Sequence, residues 1–177
     1  VFAGVYMTGI FPIKKYKTES ALNNFREYSV IDPKGLAGYF GFTKDEVRML
    51  CERHGMEFED MVKWYDGYSI GVEPSMFNPN SVMEAIAAKY CKSFWSSTGS
   101  FDAVARYIQM DYEGLQGDIS YMLAGGSCPV KTTSFQNDPA IINNKNDVFT
   151  VLIHLGYLAY DKTERRCYVP NMEVAGE

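Results

Sequence analysis

Residues 64–80 constrain the fold of this chain most, because they require several changes of backbone structure within a short stretch. Gly67 predicts the end of a helix, since glycine accepts the left-handed backbone that other residues resist. Residues 68–70 can then run extended, residues 71–75 predict a turn, and residues 76–77 can return as a second short strand. The stretch therefore predicts a small β-hairpin directly after a helix.

Asn78 and Pro79 predict that a second helix begins where this hairpin ends. Asparagine offers a capping oxygen, and proline is favoured at the first helical position. The stretch also carries four aromatic side chains that need packing partners, Trp64, Tyr65, Tyr68 and Phe77. Two interpretations stay open: the stretch is a structural corner, or its hairpin contacts a nucleotide or a partner.

The composition is that of a globular protein, with 46% hydrophobic and 22% charged residues. Its 177 residues suffice for one domain of ordinary size or two small ones. The net charge of −5 argues against a large surface devoted to nucleic acid, where a basic excess is expected. A local basic patch remains compatible with that charge.

The four cysteines, Cys51, Cys91, Cys128 and Cys167, lie far apart in the sequence. Because no CxxC pair occurs, a zinc site is disfavoured, and buried free thiols are expected. Free thiols suit a reducing compartment, so we predict a cytoplasmic location. No apolar run approaches the roughly 18 residues that span a bilayer, so no membrane association is predicted.

Capped amphipathic stripes dominate the segment between residues 18 and 125. Thr43 and Glu46 form a capping-box pattern, and Gly55 closes the same stripe. The predicted helices cover 19–28, 44–54, 57–66, a stretch from Pro79 to about Tyr90, a stretch from Phe101, and 112–124. The sequence therefore predicts a mainly α structure with small β elements, an α+β class.

The pattern of amphipathic helical stripes does not continue directly after residue 127. Residues 128–133 predict a short strand and residues 134–147 a loop or irregular helix. A helix ending at Gly156 is followed by two predicted strands, 157–160 and 166–169, and by a last helix that begins at Pro170-Asn171. Helix followed by hairpin resembles a winged helix-turn-helix module, and since residues 146–155 contain no Lys or Arg, a protein-packing module is preferred over a DNA-binding one.

Residues 1–13 are apolar, rich in β-formers and uncharged, which predicts a strand buried on both faces of a parallel sheet. A single buried strand cannot stand alone, so its neighbours are expected elsewhere. Val1 stands inside this apolar run without a Met, which indicates a piece of a longer protein. Thr8 lies at the end of this predicted strand. From the residues alone it can be an ordinary turn residue before Gly9.

A hydroxyl-rich turn, Thr98-Gly99-Ser100, precedes the helix that begins at Phe101. The free N–H groups and the positive dipole end of a helix start can hold a phosphate. The same pattern describes an ordinary N-cap. The residues alone leave both interpretations open.

Several motifs together resemble the AAA-ATPase-like family of bacterial P-loop proteins. They follow the family order and cover nearly the whole chain: TGIFPIKKYKTESALNNFREYS (8–29), GFTKDEV (41–47), WYDGY (64–68), FNPNSV (77–82), FWSSTGSFDAV (94–104), VLIHLGYLAYD (151–161) and YVPNMEV (168–174).

The resemblance implies three regions. Residues 1–30 would be the end of the P-loop ATPase core, its last strand and a helix. Residues 31–126 would be a helical lid region that carries the hairpin at 68–77. Residues 127–177 would be the winged-helix-like module.

The resemblance also implies nucleotide-proximal residues. Thr8 and the adjacent Gly9 correspond to the polar strand end near the γ-phosphate. Thr98, Gly99 and Ser100 correspond to the glycine motif of the lid that faces the nucleotide. ATP and Mg²⁺ are implied for the full-length protein, and none is expected to be bound to this chain.

The chain lacks a GxxxxGK[ST] phosphate loop, a visible Walker B strand, HExxH and GxSxG, so it is not expected to be an active enzyme alone. By resemblance, the N-terminal ATPase core lies upstream and a PD-(D/E)XK nuclease-like domain follows. The chain would then couple ATP binding by the missing half to that downstream domain. The alternatives are a non-enzymatic adaptor for a protein partner and, against the charge, a DNA-binding winged helix.

Overall fold

The computed structural model describes residues 4, 6–11, 26–95, 101–138 and 140–177. Within these residues the chain is a mixed α+β structure, so the predicted fold class is confirmed at that level. The α-helices are α1 (Lys44–His54), α2 (Phe58–Tyr65), α3 (Pro79–Ala88), α4 (Phe101–Gln109), α5 (Leu115–Leu123), α6 (Lys145–Leu155) and α7 (Met172–Ala175). Two short 3-10 helices within the described residues cover Lys34–Tyr39 and Tyr112–Gly114.

The described strands form two three-stranded antiparallel sheets. The first has the order β1-β3-β2 and the second the order β4-β6-β5. The strands are β1 (Phe42–Thr43), β2 (Tyr68–Ile70), β3 (Glu73–Phe77), β4 (Cys128–Pro129), β5 (Ala159–Asp161) and β6 (Arg166–Tyr168).

The hairpin predicted from residues 68–77 is present as β2 and β3, in which Tyr68 pairs with Met76. Its second strand is longer than expected, because it begins at Glu73 and includes Pro74. Strand β1 pairs with β3 only at Met76 and Phe77, so one side of β3 is unpaired at Pro74. A proline without an N–H can occupy such an edge position.

The helix boundaries follow the local signals that predicted them. Thr43 caps α1 in a full capping box, in which the Thr43 N–H donates to Glu46 Oε2 at 2.8 Å. Gly55 ends that helix with a left-handed φ of 66°. Asn78 Oδ1 caps α3 by accepting the Asn80 N–H at 3.0 Å.

Two main hydrophobic cores organise the described residues. One packs α1, α2 and α3 together and has Val47, Met61 and Phe77 near its centre. The other lies between α5, α6 and the second sheet, and includes Phe149 and Leu152. Strand β4 of the second sheet is shorter than the predicted strand over residues 128–133, because it ends at Pro129. The Lys131 N–H donates to Asn146 Oδ1 at 2.9 Å instead of to a neighbouring strand.

Trp64 and Trp95 stand next to apolar helical faces in the sequence, which predicts that both are largely buried, but the structure shows both half-buried. Trp64 borders the first core, with its ring centroid 6.4 Å from that of Tyr65. Trp95 packs edge-on against Tyr157 at a centroid distance of 4.7 Å. Each ring thus covers the rim of a core, which leaves one part exposed.

The strand predicted over residues 1–13 is not found in residues 4 and 6–11, the part of this segment that the structure describes. Tyr6 is 91% exposed and Ile10 is 68% exposed. Phe11 alone among these residues has described ring contacts, with Phe135 and His154. A strand needs a ladder partner, and the two described sheets take their strands from other segments.

The helix predicted over 19–28 falls mainly outside the described residues, and residues 26–28 are not helical. In the described ranges, no helix combines the length and apolar character that crossing a bilayer requires.

We expect the native protein to expose one thiol to labelling reagents. Cys51, Cys128 and Cys167 are buried, and burial raises the pKa of each thiol, for Cys167 to about 12. Burial raises the pKa of the Cys91 thiol as well, so the order depends on access to the reagent: the three buried thiols should react only on unfolding, while half-buried Cys91 reacts first. Timed iodoacetamide labelling with mass spectrometry, with and without denaturant, tests this order. Native labelling of Cys167 as fast as Cys91 would contradict it.

Candidate functional site

The residues of the WYDGY stretch hold the corner between the two cores. Tyr65 is fully buried, and its hydroxyl donates to Lys92 O at 2.9 Å and accepts the Lys92 N–H at 3.0 Å. Burial raises the pKa of the Tyr65 phenol, so the hydroxyl stays protonated and can make both bonds. This side chain therefore ties the end of α2 to the segment that follows α3.

Asp66 connects the end of α2 to the hairpin through hydrogen bonds. Its Oδ1 accepts the Gly67 N–H at 2.7 Å, and Ser75 Oγ donates to the carboxylate with both oxygens at 2.8 Å. A carboxylate that accepts several hydrogen bonds fixes the groups around it. Asp66 thus orients β3 relative to α2.

Gly67 is where the C-terminal part of the chain comes closest to this corner. Its φ is +106°, and a Cβ added there would fall on Pro170 O and lie 2.8 Å from the Pro170 carbonyl carbon. Only glycine accommodates both the backbone conformation and the neighbour. The local pattern predicts a helix stop at Gly67 but not this contact.

Hydrogen bonds from the C-terminal part surround the same corner. Tyr168 OH donates to Gly67 O at 3.1 Å, and Asn171 Nδ2 donates to Asp66 O at 2.8 Å. In the other direction, Tyr68 OH donates to Gly156 O at 2.8 Å. Burial raises the pKa of Tyr68, which keeps this hydroxyl a donor.

Glu173 of α7 extends these contacts to the segment that precedes α4. Its side chain is fully buried, and its Oε1 accepts the Phe94 N–H at 2.9 Å. Burial raises the pKa of this carboxyl, while the Phe94 N–H and the Ser81 hydroxyl act in the opposite direction. Within the described residues, neither Glu173 Oε2 nor Ser81 Oγ has a hydrogen bond of ordinary geometry.

Together these residues form one connected structure, which we call the junction: Tyr65, Asp66, Gly67, Tyr68, Phe94, Tyr168, Asn171 and Glu173. It joins the helical region, the hairpin and the C-terminal module through side-chain and backbone hydrogen bonds. The contacts of Tyr65, Asp66, Gly67 and Tyr68 agree with the structural-corner interpretation of residues 64–80. The sequence did not single out Glu173, whose only signal is its place in the YVPNMEV motif.

A cavity of about 200 Å³ lies beside the junction, lined mainly by aromatic and apolar side chains that include Tyr68, Trp95 and Tyr160. Small-molecule sites usually measure roughly 300–1,000 Å³. This cavity is therefore smaller than a typical ligand site.

The residues that resemblance places near a nucleotide are only partly described. Thr8 and Gly9 are exposed, and they lie in the segment that forms no strand. Thr98, Gly99 and Ser100 lie outside the described residues. Among the described residues, no three His, Cys, Asp or Glu side chains are grouped so that they could hold a metal ion.

Helix α6, which stands where a winged helix would place its recognition helix, is buried along most of its length. Residues 147–153 are all buried. A recognition helix must present side chains to a DNA groove. Helix α6 could do so only by leaving the second core, which weighs against the DNA-binding alternative.

No family model, curated protein or solved structure matches this chain.

Proposed function

We propose that this chain is the lid and winged-helix-like part of an AAA-ATPase-like protein. In this proposal an N-terminal core binds ATP and Mg²⁺, and this chain transmits the nucleotide state to a nuclease-like domain that follows it. The single observation that supports it is the junction, because a rigid connection between the region near the nucleotide and the C-terminal module is what such transmission requires.

The junction also explains why the motifs of the resemblance occur together. Residues of WYDGY, FWSSTGSFDAV and YVPNMEV are far apart in the sequence and bond to one another, as in the Phe94–Glu173 contact. Phe94 is only a few residues before Thr98, Gly99 and Ser100. A change at this glycine motif on nucleotide binding would therefore reach α7 and the residues after it through the Phe94–Glu173 and Ser93–Glu177 hydrogen bonds.

The exposed segment before Phe11 is also compatible with this role. Tyr6, Met7 and Ile10 expose 91%, 58% and 68% of their surface. Large apolar side chains at such exposure favour a neighbouring element that covers them. The missing ATPase core of the proposal would supply that element as adjacent strands.

We expect this chain by itself not to bind ATP with micromolar affinity. A helix N-terminus contributes roughly 0.3–1 kcal/mol at an exposed site, whereas micromolar affinity needs about 8 kcal/mol. Titration calorimetry with ATP and Mg²⁺ measures this directly. Micromolar binding that is lost in Thr8→Ala or Gly99→Ala would show that the nucleotide site lies in this chain, and the proposed division of labour would be wrong.

The coding sequence before Val1 gives the decisive test of the proposal. We expect a GxxxxGK[ST] phosphate loop there, and ATP hydrolysis by the complete protein. Asn171→Ala removes the bond to Asp66 O and also the N-cap of α7, in which Asn171 Oδ1 accepts the Val174 N–H. It should then weaken the effect of ATP on the downstream domain more than it changes ATP binding. A coding sequence without a phosphate loop would favour the adaptor alternative instead.

A further inference from the structure

A second cavity, of about 360 Å³, lies between residues 31–32 and the C-terminal part of the chain. Its lining combines basic and hydroxyl side chains with three apolar or aromatic ones, Ile31, Val130 and Tyr160. We call it the basic cleft and define it by Asp32, Lys131, Thr132, Thr133, Lys162 and Arg165. Its volume falls within the range of roughly 300–1,000 Å³ that is usual for small-molecule sites. None of its residues is among those that resemblance assigns to ATP.

The charge of the basic cleft is opposite to that of the chain. The chain carries a net charge of −5, yet the cleft brings three cations together with a single carboxylate. Asp32 pairs with Lys162 at 3.1 Å. The ammonium of Lys131 and the guanidinium of Arg165 form no ion pair within the described part of the chain. Two positive charges therefore remain to attract an anion.

One wall of the cleft is the turn between β5 and β6, which is held in shape from inside. Asp161 Oδ1 accepts the Thr163 N–H at 2.8 Å and the Glu164 N–H at 3.0 Å. Arg165 then adopts a left-handed φ of 54°. This turn places Lys162 and Arg165 at fixed backbone positions, so a ligand need not order them from a flexible loop.

The other wall is the loop that starts at Lys131, and the first turn of α6 holds it. The Lys131 N–H donates to Asn146 Oδ1 at 2.9 Å, and Ser134 Oγ donates to the buried Asp147 at 3.0 Å. The Val130 N–H donates to Arg165 O at 3.0 Å and connects this wall to the hairpin turn. Both walls of the cleft are thus fixed relative to each other.

We propose that the basic cleft binds a phosphoryl group, as inorganic phosphate or as a phosphate monoester of a small molecule. Such a group carries roughly 1.5 to 2 negative charges near neutral pH, which suits a site with two unpaired cations. Its oxygens can accept from the guanidinium of Arg165, the ammonium of Lys131 and the hydroxyls of Thr132 and Thr133. The small size of the cleft and the acidic chain favour a small anion over a nucleic acid strand, which needs an extended basic track.

The test is a titration of the isotope-labelled chain with inorganic phosphate and, separately, with glycerol phosphate, followed by NMR chemical shifts. We expect saturable shifts at residues 131–133 and 162–165 that weaken as salt is added. Lys131→Gln and Arg165→Gln should each weaken the affinity about tenfold, the lower end of what one charge-assisted hydrogen bond contributes. Lys63 is exposed on α2 and lies outside the cleft. Lys63→Gln removes the same positive charge as the other two variants, so it should bind phosphate as tightly as the unaltered chain.

The two ligands distinguish the source of the phosphoryl group. Tighter binding of glycerol phosphate points to an organic monoester, and equal binding points to free phosphate.

The proposal is overturned by the absence of saturable shifts at millimolar ligand, or by an equal loss of affinity in Lys63→Gln. Much tighter, steeply salt-dependent binding of a DNA oligonucleotide through the same residues would also overturn it, because it would make the cleft part of a nucleic-acid surface. Circular dichroism of the variants, all changed at exposed side chains, verifies that they are folded.

Discussion

Gly67→Ala is expected to destabilise the protein by about 3–5 kcal/mol, from a backbone strain and a steric clash that add. The strain arises because alanine would have to adopt φ +106°, which L-residues rarely do. The clash arises because the new Cβ would meet the Pro170 carbonyl group, which is backbone and cannot rotate away. Urea denaturation followed by circular dichroism measures the loss in free energy of unfolding.

Gly55→Ala is the matched control for this substitution. Gly55 also ends a helix with a left-handed φ, +66°, but a Cβ there has no described neighbour within 4 Å. The control should therefore cost only about 1 kcal/mol, the price of the backbone conformation alone. Equal losses in the two variants would mean that the approach of Pro170 to Gly67 contributes nothing, and the junction would lose its tightest contact.

The second large effect concerns Glu173, for which we expect two substitutions to differ by about 3 kcal/mol. In Glu173→Gln the side-chain oxygen can still accept the Phe94 N–H, and the new NH₂ group can donate to Ser81 Oγ. In Glu173→Ala the Phe94 N–H loses its acceptor and a cavity is left in the junction. Glutamine should therefore be neutral or stabilising at neutral pH, and alanine strongly destabilising.

The pH dependence of stability gives an independent measurement of the same residue. Burial raises the pKa of the Glu173 carboxyl above its ordinary value of 4.5 in the folded protein. Between the unfolded and folded pKa the native state therefore binds more protons, so the contribution of Glu173 to stability falls as the pH rises through this window. Below the window that contribution is fully present.

Glu173→Gln should remove this part of the pH dependence, since the amide does not titrate. The comparison requires urea denaturation of both proteins at a series of pH values from acidic to neutral. If Glu173→Gln is as damaging as Glu173→Ala at neutral pH, then the negative charge itself stabilises the junction. The interpretation that Glu173 acts there as a hydrogen-bond acceptor, independently of its charge, would then be wrong.

The local signals of the sequence predicted the helix and turn boundaries of the described residues well. The capping box at Thr43 and Glu46, the stop at Gly55 and the helix start at Asn78 all appear where they were expected. Each depends on hydrogen bonds within a few residues, so neighbouring residues suffice to specify it. The same holds for the hairpin of β2 and β3, apart from the length of β3.

Burial was predicted less well, because it depends on which elements meet. The pattern of α6 shows that it is apolar, but only the packing of α5 and the second sheet around it buries residues 147–153. Trp64 and Trp95 stand among apolar residues in the sequence, yet each lies at the rim of a core. Residues 6–10 have the composition of a buried strand and are exposed, because no described strand pairs with them.

The sequence by itself determined where the chain of this protein turns, since caps, glycines and prolines act on the backbone next to them. Only the tertiary structure decided which distant groups the residues at those turns contact. Gly67 meets Pro170, Asp66 accepts from Ser75 and bonds through its carbonyl to Asn171, and Glu173 bonds to Phe94. These partners are mostly distant in the chain, and no local pattern specifies which distant N–H or carbonyl a side chain will reach. The junction therefore exists only once the two cores have packed.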